Sequence, residues 1–366
     1  MRESSPSERL ISYDTSTLEG IRGAAEFVIG WLEARDIEVF DAVHRDRPLL
    51  AATVGAGEGP TVVLHGHIDV VPGRPEQFHA EIDGDRLIGR GAYDMKGALA
   101  AMMTATRDLA DQREVRVHFL CVCDEESDDP SPRASDLLLQ RGYRGDFAIT
   151  GEPTELRIGV QAKGVLGLRL DVGGKAAHGS TPWLGDNAVV KAVETFEQIR
   201  TLAFARESSE LFDRPSINLG RILGGDALNK VPDRCIVDLD IRYLPGQRAE
   251  DILEAIRALP DVTVTELLRR EPVIVDAANP YVRTLAEVVA GAAPAERVSV
   301  GRDGASDAVC FLAAGVPAVE FGPEGGGHHG PDEWVSISSL DRYRRALVEF
   351  VRLVPQRLGS RRLHVA

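Results

Sequence analysis

Thr61-Val62-Val63-Leu64-His65-Gly66-His67-Ile68-Asp69 is a short apolar run that breaks directly into two histidines and an aspartate. An apolar run of this length with glycines nearby reads as a buried strand. In an open α/β sheet the chemistry lies beyond the carboxyl ends of the strands, so ligand-type residues at that end point to a site. A lone histidine there is more often structural. The His-x-Asp spacing changes the balance, because on an extended segment it sets both side chains on one side, where the carboxylate can orient the imidazole or join it at a metal.

The flanking sequence repeats the pattern. Ile21, Ala25, Val28 and Leu32 recur at helical spacing before the run; after it, residues 97–109 read as a helix, 115–122 as a β-branched and aromatic strand, and Phe147–Thr150 as another buried strand. Helices alternating with buried strands predict an α/β domain with a largely parallel sheet. The middle of the chain reads differently. Leu166, Leu168, Leu170 and Val172 alternate as on a half-buried strand, and Asp186 is placed to cap a helix carrying Val189, Val193 and Phe196. A strand over 217–222, the alternation of Val237, Leu239 and Ile241, a helix carrying Ile252 and Ile256, and the alternation of Val262 and Val264 follow. The order is βαββαβ, the signature of a ferredoxin-like unit. After Pro280 the first pattern returns and ends in a helix over 340–353. The expected fold class is α/β: one domain over residues 1–162 and 278–366, interrupted by an inserted α+β domain over residues 163–277.

Composition narrows the function classes. The chain has 366 residues, enough for about two domains. Hydrophobic residues at 43% and charged residues at 27% exclude a disordered or fibrous chain. With 57 acidic against 42 basic side chains, the net charge of −15 argues against nucleic acid and against an anionic membrane as partners. Residues 1–10 carry no basic segment leading into an apolar run, and no stretch reaches the ~18 apolar residues of a membrane span. Cys121, Cys123, Cys235 and Cys310 suggest neither a disulfide framework nor a paired CxxC site. A cytoplasmic, reduced protein is expected.

Four further clusters of ligand-type residues fall after apolar runs: Asp94 in Gly89-Arg90-Gly91-Ala92-Tyr93-Asp94-Met95-Lys96-Gly97, Glu125 and Glu126 in Asp124-Glu125-Glu126, Glu152 in Gly151-Glu152-Pro153-Thr154, and His328-His329-Gly330-Pro331-Asp332-Glu333. The glycines around Asp94 lack the P-loop pattern, which discounts nucleotide binding. A solvated acidic loop explains residues 127–132, but it explains Glu125 and Glu126 less well, since they stand where a buried strand ends. Two imidazoles with three or four carboxylates make an N/O donor set suited to zinc, cobalt or manganese. The charges of Asp94, Glu126 and Glu152 leave room for two divalent ions, and Glu125 remains as a base outside the donor set.

Across essentially its whole length the sequence resembles the dinuclear zinc amidohydrolases that include acetylornithine deacetylase, succinyl-diaminopimelate desuccinylase, aminoacylase and glutamate carboxypeptidase. The resemblance implies a zinc-peptidase-like catalytic domain whose insertion is a lid and dimerisation domain. It implies that His67, Glu152 and a bridging Asp94 hold one divalent ion, that Glu126, His329 and Asp94 hold the other, that Asp69 orients His67, and that Glu125 is general base and acid. The patterns His-x-Asp and His-x-x-Asp-Glu favour His67 over His65 and His329 over His328, leaving His65 and His328 outside the donor set. Gly174-Lys175-Ala176-Ala177-His178-Gly179-Ser180 is similar to the family's lid motif, so His178 and Asn229 would stabilise the oxyanion. Arg242 would grip a substrate carboxylate, and the segment Gly304-Ala305-Ser306-Asp307 would contact substrate, with Gly304 and Ser306 named for that role. Without the resemblance, His178 reads as a loop histidine and Arg242 as a solvated strand residue. The expected activity is metal-dependent cleavage of the amide of a small N-acyl amino acid by a homodimer. A dipeptidase or carboxypeptidase on the same scaffold, and a binding protein without catalysis, stay open.

Overall fold

The run that begins at Thr61 is a strand, Thr61–His67, in the middle of a mixed sheet. The structure, a computed structural model, describes residues 5–55, 59–127, 132–290, 298–304 and 306–358. It divides into two compact units, one of residues 1–160, 275–300 and 306–366, the other of residues 161–274 and 301–305.

In the first unit Thr61–His67 pairs in parallel with Arg116–Val122 on one side and with Phe147–Thr150 on the other, and Phe147–Thr150 pairs in parallel with Ala318–Glu320. These strands are buried on both faces, which is why Val62, Val63 and Leu64, or Val117, Phe119 and Leu120, form nearly unbroken apolar runs. Gly97–Asp108 packs on Thr61–His67 and on Ile337–Leu358. The parallel core is flanked by antiparallel strands. Arg47–Val54 pairs with Arg116–Val122, and Val39–His44 folds back on it through Arg45 and Asp46, both at positive φ (49° and 65°). Sequence reasoning passed over this hairpin because its turn lacks an Asn-Gly signal and its strands interleave Asp41, His44 and Arg47 with apolar residues. A second sheet of the same unit joins Glu81–Asp83, Arg86–Ile88, Trp334–Ser336 and Gly325–Gly326. It ties the segment carrying His328 and His329 to the chain just before Asp94, with the Gly89 amide donating to the Glu333 carbonyl at 2.9 Å.

The second unit is an antiparallel sheet in the spatial order Ser216–Gly224, Arg234–Tyr243, Gly164–Gly173, Val262–Arg270. With helices Ala188–Ile199 and Ala249–Arg257 between strands in the chain, this is the expected ferredoxin-like βαββαβ topology. Its core is the alternating set Leu166, Leu168, Leu170, Val172, Val237, Leu239 and Ile241 against Ala188, Ala192, Ile252 and Ile256. The cap of the first helix is Asn187, whose Oδ1 accepts the amides of Val189 and Val190, and not the expected Asp186. Asp186 instead pairs with Lys191 at 2.8 Å.

Candidate metal centre

The carboxyl ends of the parallel strands converge on one cluster in the first unit. His67 ends Thr61–His67, Glu125 and Glu126 follow Arg116–Val122, and Glu152 follows Phe147–Thr150. Gly66 leaves room for the end of the Met95 side chain, which a Cβ there would approach to 2.6 Å and displace. Asp94 stands at the centre and is buried. His67 Nε2 lies 3.1 Å from Asp94 Oδ1, while His329 Nε2 lies 3.2 Å from Asp94 Oδ2. Glu152 stands 3.6 Å from His67 Nε2, and Glu126 stands 3.0 Å from His329 Nε2. The two oxygens of one carboxylate are thus divided between two imidazole-carboxylate pairs. His329 reaches its place with φ at 57°, a left-handed backbone that histidine tolerates better than most residues.

The donor atoms fit a cation. Ligands held ~2.0–2.1 Å from a tetrahedral zinc stand roughly 3.4 Å from one another, close to the spacings here. The electrostatics agree. Burial draws the His67 imidazole down, but Asp69, Asp94 and Glu152 outweigh it and hold it well above its ordinary value. Hydrogen bonds to Asp94 and Glu126 lift His329 to about 10. Burial pushes Asp94 up, yet His328, His329 and His67 hold it well below the usual carboxylate range. Glu125 and Glu152 lie well above that range, first from burial and then from negative neighbours, Asp307 for Glu125 and Asp94 for Glu152. A cluster that gathers protons between closely set carboxylates and imidazoles can equally be neutralised by a cation.

Other side chains set this geometry. His67 Nδ1 lies 2.9 Å from the Asp69 backbone carbonyl and 3.6 Å from its carboxylate, whose other oxygen accepts the Glu126 amide at 2.9 Å. Glu333, which sequence reasoning quoted only as part of a motif, accepts the amides of Tyr93 and Asp94, each at 3.0 Å, and pairs with buried Arg90 at 2.7 Å. His328, read as lying outside the donor set, comes to 2.6 Å from Asp94 Oδ2, so that both neighbouring histidines face one oxygen. His65 does stand apart. It lies 2.9 Å from Ser135 Oγ and 3.6 Å from Asp307, and burial lowers its pKa to about 4. Arg133, buried beside the Glu125 loop, was missed altogether, and Asp307, read only as the end of a segment expected to contact substrate, lies buried 3.7 Å from it. The signal available was a lone arginine at the start of a helix, Ala134–Gln140, next to an acidic loop.

Of the remaining residues named from sequence, His178, Asn229, Arg242 and Gly304 belong to the second unit and Ser306 to the first. His178 and Asn229 are neighbours within the second unit: the His178 backbone forms an antiparallel β-bridge with Lys230, and the Gly179 amide donates to the Asn229 carbonyl at 2.7 Å. Arg242 is held by Asp240, its Nε 2.9 Å from the carboxylate. Gly304 is exposed; Ser306 is buried, with its Oγ accepting the Ala308 amide at 3.1 Å. Ala305, and residues 128–131 of the acidic loop, lie outside the described residues.

Known proteins bear on this cluster directly. A sequence model of peptidase family M20/M25/M40 matches residues 63–353. Succinyl-diaminopimelate desuccinylase of Leptothrix cholodnii is 31% identical over 332 residues, 82% of this chain and 85% of that one. Acetylornithine deacetylase of Proteus mirabilis is 33% identical over 253 residues, 65% of each chain. Among solved structures, a tripeptidase from Staphylococcus aureus superposes with a TM-score of 0.79 at 20% identity, covering 96% of this chain and 97% of that one. With the match running through all five ligand clusters, the chain belongs to peptidase family M20/M25/M40 and is a metal-dependent hydrolase.

Proposed function

We propose that this hydrolase cleaves the amide bond of a small N-acyl amino acid, of the kind that acetyl- and succinyl-amino acid deacylases act on, with two divalent ions at the Asp94 cluster. The observation that carries the reading is the division of the Asp94 carboxylate between His67 with Glu152 and His329 with Glu126. Zinc is the first choice and cobalt or manganese the next, because the donors are imidazole nitrogens and carboxylate oxygens without a thiolate. When bound, such ions polarise the scissile carbonyl and make a water acidic enough to attack near neutral pH. Glu125 stands beside the donors without being one of them. It takes the proton of the attacking water as the new C–O bond forms, then delivers it to the nitrogen as the C–N bond breaks. His67 is held in orientation by the Asp69 carbonyl, and Asp94 by the hydrogen bond that its backbone N–H donates to the Glu333 carboxylate.

His178, Asn229, Arg242 and Gly304 of the second unit, with Ser306 of the first, supply the remaining roles in this reading. His178 and Asn229 would donate to the developing oxyanion, and Arg242, steadied through its Nε by Asp240, would bind the substrate carboxylate. Gly304 and Ser306 would contact the substrate through the segment they share. All four cysteines are buried and unpaired, which suits the reducing cytoplasm. The test is a panel of N-acetyl, N-succinyl and N-formyl amino acids and dipeptides, assayed with zinc, cobalt or manganese. Hydrolysis of the acylated amino acids is expected. Turnover of dipeptides alone would replace this reading with a peptidase.

A further inference from the structure

Arg133 lies immediately before helix Ala134–Gln140, yet its guanidinium turns back over the preceding loop. Nη1 donates to the carbonyls of Glu125 at 2.9 Å and Asp124 at 3.1 Å, and Nη2 donates to the Ser127 carbonyl at 2.9 Å. The side chain is only 6% exposed. One planar cation therefore holds the backbone on both sides of Glu125, a task that suits the fixed fork of arginine and not the point charge of lysine. The loop is fastened from other directions as well. Asp124 Oδ2 accepts the Ala134 amide at 2.9 Å, and Asp69 accepts the Glu126 amide. Behind the guanidinium stands buried Asp307, 3.7 Å from Nη1, which also accepts Ser135 Oγ at 3.0 Å.

We propose that Arg133, backed by Asp307, is a positioning residue that fixes the Glu125 carboxylate for proton transfer by clamping the carbonyls of Asp124, Glu125 and Ser127. Burying a guanidinium is costly unless its hydrogen bonds are made, and here the bonds are spent on the segment that carries the base. A helix cap alone would not need them: the Arg133 amide is already satisfied by Asp136 at 2.9 Å. A displacement of about 1 Å at a catalytic group can cost on the order of 100-fold in rate, so loosening this loop acts on turnover before it acts on binding.

The inference rests on the reading of Glu125 as the proton acceptor, and two sets of variants keep the two apart. Zinc-loaded wild type, Glu125→Gln, Arg133→Ala, Arg133→Lys and Asp307→Asn are assayed on N-acetyl-L-ornithine and N-succinyl-L,L-diaminopimelate, with zinc content and melting temperature measured for each. Hydrogen exchange is followed over 124–127. Arg133→Ala is expected to lower kcat about 10- to 100-fold with KM within threefold and zinc content unchanged, to speed exchange in 124–127, and to recover part of its kcat in millimolar guanidinium, which leaves wild type unaffected. Arg133→Lys and Asp307→Asn are expected to fall between it and wild type. Wild-type kcat and exchange in Arg133→Ala would overturn the proposal. A loss of kcat, zinc and melting temperature together, without guanidinium recovery, would overturn it too by reducing Arg133 to a structural role. If Arg133→Ala does not fold, a wild-type kcat in Arg133→Lys overturns the proposal and a selective fall in kcat sustains it. Full turnover in Glu125→Gln would remove the base assignment itself, and exchange over 124–127 still decides the clamp if neither compound is hydrolysed.

Discussion

Asp94 turns Oδ1 to His67 and Oδ2 to both His328 and His329, and the substitutions around it separate ligands from the base. Glu125→Gln is expected to reduce turnover about 10²- to 10⁴-fold while zinc content stays at the wild-type value, because a base outside the donor set contributes to proton transfer alone. Glu126→Ala is expected to lose zinc as well as activity, and metal analysis of the two proteins side by side checks the assignment. Glu333 acts one step further out, through the amides of Tyr93 and Asp94. Glu333→Gln should weaken zinc binding about 10- to 100-fold in competition with a chelator, the usual scale for a group that orients a ligand. An unchanged zinc affinity would mean that the Arg90–Glu333 pair serves only the packing of the loop.

At the scale of elements, the termini and buried faces of the strands and helices carry the stability. Asn187→Ala removes the Oδ1 that accepts two amides at the start of Ala188–Ile199 and should cost about 1 kcal/mol in urea unfolding. Asp186→Ala should cost less, since that side chain pairs at the surface with Lys191. Strand Arg116–Val122 carries a pH response of its own. Burial first, and Arg116 second, lower the His118 pKa to about 4, and its Nδ1 lies 2.8 Å from Thr53 Oγ1. An unfolded histidine titrates near 6.5, so between ~6.5 and about 4 the unfolded chain binds a proton that the folded chain refuses. This residue therefore makes stability fall as pH drops through that window, with nothing further lost below it. His118→Gln should flatten the decline of melting temperature over the same range by comparison with wild type.

For the whole molecule, the expected assembly is a twofold dimer formed through the second unit. Strand Ser216–Gly224 is an edge of its sheet, Ile222 and Leu223 on it are exposed, and so are Val190 and Val193 on the helix Ala188–Ile199. An unpaired edge beside apolar side chains invites a second copy. If His178 and Asn229 serve the partner's metal centre, Glu125→Ala and His178→Ala are each nearly inactive, yet a mixed dimer holds one site with both residues intact. Random exchange of equal amounts should restore about a quarter of wild-type sites. Proven exchange without recovery would mean that His178 serves its own chain or no catalytic role.

What the sequence determined by itself was whatever periodicity and adjacency encode. Thr61–His67, Arg116–Val122 and Phe147–Thr150 are buried on both faces and so appear as apolar runs, and the inserted unit alternates with period two because its sheet has one buried face. His67, Glu126 and Glu152 were legible because they sit at or just after the ends of those runs, whereas Asp94 and His329 follow glycine-rich stretches and took their assignment from the resemblance. The strands Gly325–Gly326 and Trp334–Ser336 were not, being too short to show any period, and with them went the route that brings His328 as well as His329 to Asp94. Nor could the chain itself show that Glu333 holds the Asp94 amide across 239 positions, or that Asp307 backs Arg133. Such partnerships depend on which buried polar groups end up within hydrogen-bond reach once the core has packed, and only the tertiary structure decides that.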